Sequence, residues 1–276
     1  MLASVIVPNY RNDDTLPLAL ESLERAAERI GRDNVEILVI DDREGRGLSW
    51  ARNQGLDRAQ GKYVFFCDAD DTVEPNFFAR PIERLESTGA DFCFFNYSLS
   101  PLKRQYDLSG REVLETLAPA FIGYSWRDLF RALARPWRFM SALAEKREPG
   151  SVCRIAFRRE LLESGPVRFN ENLFIYEDAP FVCECAIRSK RVVSLPDVLY
   201  RYTPGTNGIV RTVTGTKRHW LYKSAILLER KRLDRLSGGR LKRYFGASQI
   251  FGKLEFLLHS RRKYGIIFNH KPPNGL

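Results

Sequence analysis

The sequence predicts an α/β protein built around a largely parallel sheet. Two observations carry this. Apolar runs rich in β-branched and aromatic residues (Ala3–Pro8, Val35–Ile40, Val64–Cys67) are separated by segments with helical apolar spacing. Strand, helix and strand in that order form a βαβ unit, which places consecutive strands parallel. Each run also ends in polar residues: Asn9-Tyr10, Asp41-Asp42 and Asp68-Ala69-Asp70-Asp71. Open α/β sheets bind ligands at those carboxyl ends.

Taken in order, Ala3–Pro8 reads as a buried strand stopped by Pro8. Asn9–Asp14 is a polar turn with helix-capping residues, and Leu16, Leu20, Leu23, Ala27 and Ile30 follow at helical spacing. Val35–Ile40 is the second strand. After Gly45-Arg46-Gly47, Ser49 is the expected cap of a helix that turns Leu48, Ala51, Gly55, Leu56 and Ala59 inward. Gly61 ends it and Val64–Cys67 is the central strand. Pro75 suits a first helical turn, with Phe77, Phe78, Ile82 and Leu85 on one face. Asp91–Tyr97 is a further strand. Residues 100–150 hold two amphipathic stretches, with Trp126, Trp137, Arg127, Arg131, Arg135 and Arg138, and have no readable order. Ser151–Phe157 reads as a strand and Arg158–Glu163 as a short helix. An irregular loop, Asn170–Asp178, leads into an apolar helix over Ala179–Ile187. Val192–Leu195 and Val198–Tyr202 read as two strands around Pro196. From Lys217 the pattern is helical and basic, broken at Gly238-Gly239, with a second segment carrying Phe251, Leu254 and Phe256–Leu258.

The 276 residues suit one large domain or a domain with an appendage. With 44% hydrophobic and 28% charged residues the chain is globular, and no run is long enough to span a membrane. The start shows no secretory pattern. Five cysteines without CxxC spacing suggest neither a disulfide framework nor a zinc site, and Cys67 and Cys93 sit in apolar runs as core thiols. A reducing cytoplasm is expected. Charge is uneven: residues 217–276 hold 15 Lys/Arg against 3 Asp/Glu, a balance of +12, so the chain's +10 leaves −2 for residues 1–216.

Three carboxylates within Asp68–Asp71 repel one another unless a cation sits among them. A hard divalent ion suits carboxylate oxygens and keeps positions open for phosphate and water. An exposed Asp-rich turn is the alternative.

Five segments in order, Ser4–Tyr10, Ile40-Asp41-Asp42, Gly47–Asn53, Phe66–Asp71 and a later block from Phe169-Asn170-Glu171 through Tyr176-Glu177-Asp178 to Leu199–Tyr202, resemble family 2 glycosyltransferases. The likeness covers roughly residues 2–205. It implies the GT-A fold, Rossmann-like with helices on both faces of the sheet, and an inverting, metal-dependent enzyme that uses a nucleotide sugar. By this resemblance Asp68 and Asp70 are the DXD pair around Ala69. Asp70 binds Mn²⁺ or Mg²⁺ and Asp68 lies near the ribose and sugar. The ion would bridge both phosphates and stabilise charge on the leaving nucleoside diphosphate. Tyr10, beside Pro8, offers a face to the base. Asp42, with Asp41, accepts from a uracil N–H, which would favour a UDP-sugar, and Arg52 faces the diphosphate. Glu177-Asp178 matches the later acidic pair, with Asp178 as general base and Glu177 next. The same pair suits a helix start, where the dipole favours acids.

The sequence also departs from the family. Only Arg43-Glu44-Gly45-Arg46 separates Asp42 from Gly47, too short for the helix and strand the family carries there. Asp-Asp-Gly-Ser is absent, so the base-pocket wall is rebuilt, and Arg43 or Arg46 is a candidate to reach the base or phosphates. His219 is the candidate histidine for the metal shell. Asn207 and Arg211 are candidates for a loop over the diphosphate.

The expected organisation is a nucleotide-sugar half at residues 1–100, an acceptor half at 101–205 and a basic helical extension at 206–276. The extension suits the inner face of a cell membrane, with a solvated basic face or oligomer contact as the alternative. Nucleic acid is not expected, since no recognition motif is visible. The reading is transfer from a UDP-sugar to a hydroxyl of a glycan or lipid-linked acceptor in surface polysaccharide synthesis. The rivals are a catalytically silent nucleotide-binding scaffold and a sugar-1-phosphate nucleotidyltransferase, whose Gly-rich basic loop is missing from Pro8–Asp14.

Overall fold

A computed structural model describes residues 1–98, 102, 105–118, 150–173, 175–203, 217–246 and 250, with the side chains of 217–224 and 227 outside the description. Trp126, Trp137 and the arginines between them, Asn207, Arg211, the His219 side chain and the segment from Phe251 onward lie outside the described residues. The chain forms two compact units. The first is Met1–Val113, Ser151–Glu171 and Arg188–Gly205; the second is Leu114–Gly150, Asn172–Ile187 and Thr206–Leu276.

The first unit is a mixed sheet of eight strands: β1 (Ala3–Asn9), β2 (Val35–Asp41), β3 (Tyr63–Phe66), β4 (Thr72–Val73), β5 (Phe92–Tyr97), β6 (Asp107–Ser109), β7 (Ile155–Arg158) and β8 (Arg191–Arg201). Their order is β2-β1-β3-β7-β5-β8-β4, with β6 paired to β8. β1 runs parallel to β2 and β3, and β5 parallel to β8, while β7 joins the two groups antiparallel. Four helices accompany the sheet: α1 (Leu16–Glu28), α2 (Leu48–Arg58), α3 (Ala79–Thr88) and α4 (Arg159–Glu163).

Both faces of the sheet are covered, and β1 and β3 are buried at every position. Phe65 and Phe66 are neighbours and so point to opposite faces. The Phe65 ring packs on Phe77 and Phe78 at 5.2 and 5.0 Å, and the Phe66 ring on Phe157 and Phe169 at 6.2 and 5.6 Å. All six rings are buried. Their burial stabilises the unit by roughly 1.5–3 kcal/mol each.

Several local expectations are corrected. Pro8 does not stop β1; it pairs with Ile40 within the strand. Its missing N–H is harmless. Ile6 O accepts from Cys67 N at 3.0 Å, and Pro8, two residues on, faces that same edge after β3 has ended. The buried stripe of α1 is Ala19, Ser22, Leu23, Ala26 and Ala27, so of the expected face Leu23 and Ala27 are buried while Leu16, Leu20 and Ile30 are half-buried. Ser49 lies inside α2 and is buried, and Gly47 stands at the cap position. Pro75 begins a turn, closed by Phe77 N on Glu74 O, and α3 starts four residues later. The unexpected β4 is made there, by pairing with Tyr200 and Arg201. Residues 152–154 form a 3-10 turn ahead of β7. The two strands around Pro196 are one strand, β8. Phe94 pairs with Ser194 and Asn96 with Val198, so two extra residues bulge out and carry Pro196 into solvent.

In the second unit, a π-helical turn (Val113–Leu117) enters from the boundary. Helix α5 (Asp178–Arg188) buries Phe181, Val182, Cys183, Glu184 and Cys185. Helix α6 (Lys217–Leu236) ends at Gly238-Gly239, both at positive φ. Arg232 bridges two buried acids, Glu184 of α5 at 2.6 Å and Glu229 of α6 at 2.8 Å. All five cysteines are buried thiols outside any disulfide.

Candidate active site

β1 is flanked by β2 on one side and β3 on the other, so the chain reverses direction across the sheet at β1. In such sheets the crevice for a ligand lies outside the carboxyl ends at the reversal. Those ends bring together Tyr10, Asp41-Asp42 and Asp68–Asp71. The residues anticipated for nucleotide and metal in residues 1–100 therefore share one sheet edge.

The loop after β2 is held by Asp42. Its carboxylate is 4% exposed and accepts Arg46 N at 2.8 Å and Gly47 N at 2.7 Å. It thereby closes the five-residue connection into α2 and takes the role expected of Ser49. A uracil N–H at Asp42 would use the lone pairs left over. Asp41 is at the exposed edge of β2, where Asn9 Nδ2 approaches at 3.5 Å and Arg43 Nε at 2.7 Å. The Arg46 guanidinium bonds Glu44 at 2.5 Å and lies over the Trp50 ring at 4.7 Å. Arg43 and Arg46 are thus engaged with their own loop. Pro8 is buried, and Tyr10 is 46% exposed with Arg11 over its ring at 5.0 Å. A Cβ at Gly45, where φ is +71°, would stand 3.5 Å from Tyr10 Oη, so the short loop is the wall behind that ring.

The acidic turn follows β3. Ala69 is buried, Asp68 is partly exposed and Asp70 is exposed. Asp68 Oδ1 accepts from Arg52 Nη2 at 3.0 Å. Arg52 is 1% exposed and stacks over Phe169 at 5.3 Å. It reaches the turn because α2 lies close on β1 through small residues. Next to it, Asn53 ties α2 to the loop after α4, donating to Phe169 O at 3.0 Å and Glu171 Oε1 at 2.8 Å and accepting from Phe169 N at 2.9 Å. Desolvation, then the Asp68 charge, push the Asp70 carboxyl above its usual range. Two crowded carboxylates make a favourable seat for a cation.

Asp71 is different from its neighbours. It is 1% exposed; Oδ2 accepts from Tyr200 Oη at 2.6 Å and Oδ1 from Thr203 N at 2.6 Å. Burial pushes its pKa up to about 7, against the lowering effect of those two bonds. Tyr200 Oη also accepts from Asp68 N at 3.1 Å. Neither the Tyr200 contact nor the burial of Asp71 is visible in sequence spacing. The one available signal is a tyrosine in an apolar strand, since a buried hydroxyl requires a partner.

Among the described residues no group of three or more His, Cys, Asp and Glu is arranged to hold a metal. The donors present, Asp68 and Asp70, are all oxygen and fit Mn²⁺ or Mg²⁺ with diphosphate and water completing the shell. Glu177 and Asp178 belong to the second unit. Glu177 is buried, Asp178 opens α5, and Tyr176 before them has a φ of 63°. Positive φ at a tyrosine is a strained conformation of the kind that clusters at functional sites.

Comparison with known proteins agrees with this architecture. The family described as Glycosyl transferase family 2 matches residues 43–111, from the short loop past the acidic turn and β5. The uncharacterized glycosyltransferase EpsJ of Bacillus subtilis is 29% identical over 75% of this chain and 62% of its own length. The succinoglycan biosynthesis protein ExoO of Rhizobium meliloti is 28% identical over 71% of this chain and 59% of its own length. The chain therefore spans about three fifths of these two relatives. Staphylococcus aureus TarS 1-349, solved in complex with UDP-GlcNAc, superposes with a TM-score of 0.64 at 17% identity, over 94% of this chain and 82% of that one. Sheet topology and these likenesses agree: the chain has the GT-A fold, and its residues 43–111 are similar to glycosyltransferase family 2.

Proposed function

We propose that the protein transfers a sugar from a UDP-sugar to a hydroxyl of a glycan or lipid-linked acceptor in surface polysaccharide synthesis, with inversion. The observation that carries this reading is the meeting of Tyr10, Asp42 and the Asp68–Asp70 pair at the reversal point of the sheet. An aromatic face and a buried acceptor suit a base, and two crowded carboxylates suit a metal-bound diphosphate. The UDP-GlcNAc held by TarS and the succinoglycan role of ExoO support the donor and the pathway class. The sugar moved would be a hexose or N-acetylhexosamine.

Mn²⁺ or Mg²⁺, when bound, supplies positive charge to the leaving diphosphate. Asp70 and Asp68 hold it, and the buried Arg52 keeps the Asp68 carboxylate in one orientation. Tyr10 and Pro8 border the base, with Asp41 and Asp42 at its polar edge. Asp178, with Glu177 beside it, takes the proton from the acceptor hydroxyl as that oxygen attacks the anomeric carbon from the face opposite the phosphate. Residues 101–205 carry the acceptor. The basic residues from Lys217 onward hold the enzyme to the anionic inner face of a membrane; among the described residues no helix is long and apolar enough to cross one.

The test is UDP release from a panel of nucleotide sugars with Mn²⁺, with and without chelator. The expected result is metal-dependent release that Asp70→Ala reduces at least ~100-fold, the scale of losing an electrostatic stabiliser. Asp178→Asn abolishes acceptor-dependent release while leaving UDP binding intact. Pyrophosphate formation from UTP, or UDP binding with no turnover on any acceptor, tells against this reading.

A further inference from the structure

We infer that Tyr200 and Asp71 are positioning residues that hold the acidic turn in its binding shape, and that Asp71 is not itself a ligand. The inference rests on the proposed role of Asp68 and Asp70. It goes beyond that role because it assigns work to a strand more than a hundred residues away. Three hydrogen bonds run in series. Thr203 N–H donates to Asp71 Oδ1, the Tyr200 hydroxyl donates to Asp71 Oδ2, and Asp68 N–H donates to the Tyr200 oxygen. The turn is also closed on itself by Asp71 N on Asp68 O at 3.1 Å. Immediately beyond it, Thr72 and Val73 pair with Arg201 and Tyr200. The end of β8 thus grips the turn at the first and last of its four residues, leaving Ala69 and Asp70 as the span between.

The burial pattern separates the roles. Asp71 and Tyr200 are 1% and 2% exposed, whereas Asp70 is exposed and Asp68 partly so. A carboxylate enclosed by two donors has its oxygens aimed into the protein, and a cation in the crevice meets Asp68 and Asp70 instead. Removing the Tyr200 oxygen leaves Asp68 N–H without its acceptor and Asp71, in a dry setting, with one donor fewer. The turn then samples other shapes while the aromatic core, including the Phe77 ring 6.4 Å from Tyr200, is retained.

The experiment compares wild type, Tyr200→Phe, Asp71→Asn and, as control, Tyr97→Phe. One measurement is amide hydrogen exchange at Asp68 and Ala69 in the free protein. The second is Mn²⁺ affinity by electron paramagnetic resonance in the presence of UDP. We expect Tyr200→Phe to speed Asp68 amide exchange about tenfold, the worth of one hydrogen bond, and to weaken Mn²⁺ binding by a similar factor. Core amides in β1 and β5 keep their protection. Asp71→Asn, which retains the shape and one acceptor, gives a smaller loss, and Tyr97→Phe gives none. Unchanged exchange and unchanged Mn²⁺ affinity in Tyr200→Phe overturn the inference. So does abolition of Mn²⁺ binding by Asp71→Asn with exchange unaltered, which makes Asp71 a ligand. Failure of the wild type to bind Mn²⁺ with UDP overturns the proposed function instead, and the exchange data then decide the positioning role alone.

Discussion

At the scale of single residues, Asp42 and Gly55 illustrate how a side chain can have a role other than the one its motif suggests. Asp42 stands where a base-reading carboxylate is expected, yet both its oxygens accept backbone N–H groups of the loop into α2. Asp42→Ala should therefore cost about 1–2 kcal/mol of stability without any ligand, the value of a lost cap. Urea unfolding of the free protein checks this, and an unchanged midpoint would return Asp42 to a purely ligand-facing role. Gly55 is needed for close approach. A Cβ there would lie 2.3 Å from Ile6 Cγ2, on the strand beneath α2. Gly55→Ala should push the helix off β1, lowering stability by about 1–3 kcal/mol and shifting Arg52 away from Asp68. Thermal unfolding reads the first effect and the Mn²⁺ titration the second.

At the scale of elements, the junction between β5 and β8 shows how the sheet tolerates a proline. Asn96 Nδ2 donates to Pro196 O, and Asn96 Oδ1 accepts from Leu102 N, each at 2.7 Å. One amide therefore ties the bulge to the chain that follows β5. Asn96→Ala should destabilise by about 1–3 kcal/mol, since it strands a buried N–H and a carbonyl. Asn96→Asp restores only the Leu102 bond, so its unfolding midpoint should fall between the two. In the second unit, Arg232 spans Glu184 and Glu229, one on each helix. Arg232→Ala removes the cation that two buried carboxylates share. The expected loss is about 2 kcal/mol, the buried-pair figure reduced because the guanidinium is partly exposed.

At the scale of the whole molecule, the uneven charge makes its own prediction. A chain with +12 in residues 217–276 and −2 elsewhere should bind vesicles containing phosphatidylglycerol. Binding should weaken steeply above ~0.15 M salt, where the Debye length is about 8 Å. Cosedimentation measures it, and equal binding to neutral and anionic vesicles would remove the electrostatic basis of the proposal. Part of the excess charge has another use already, since Arg232 is engaged within α5 and α6.

The apolar runs and their acidic ends were enough to read βαβ order and the edge of the sheet that carries Tyr10, Asp42, Asp68 and Asp70, because strand period and strand polarity are local properties; the GT-A class came from the resemblance of five ordered segments to family 2 glycosyltransferases. What tertiary structure alone decided are the partners far apart in the chain. Tyr200 holds Asp71 and Asp68, Asn53 holds Glu171, and β8 stays one strand through Pro196. Spacing cannot encode these contacts, since each depends on which strands become neighbours and on the need of a buried polar group for a partner once water has gone.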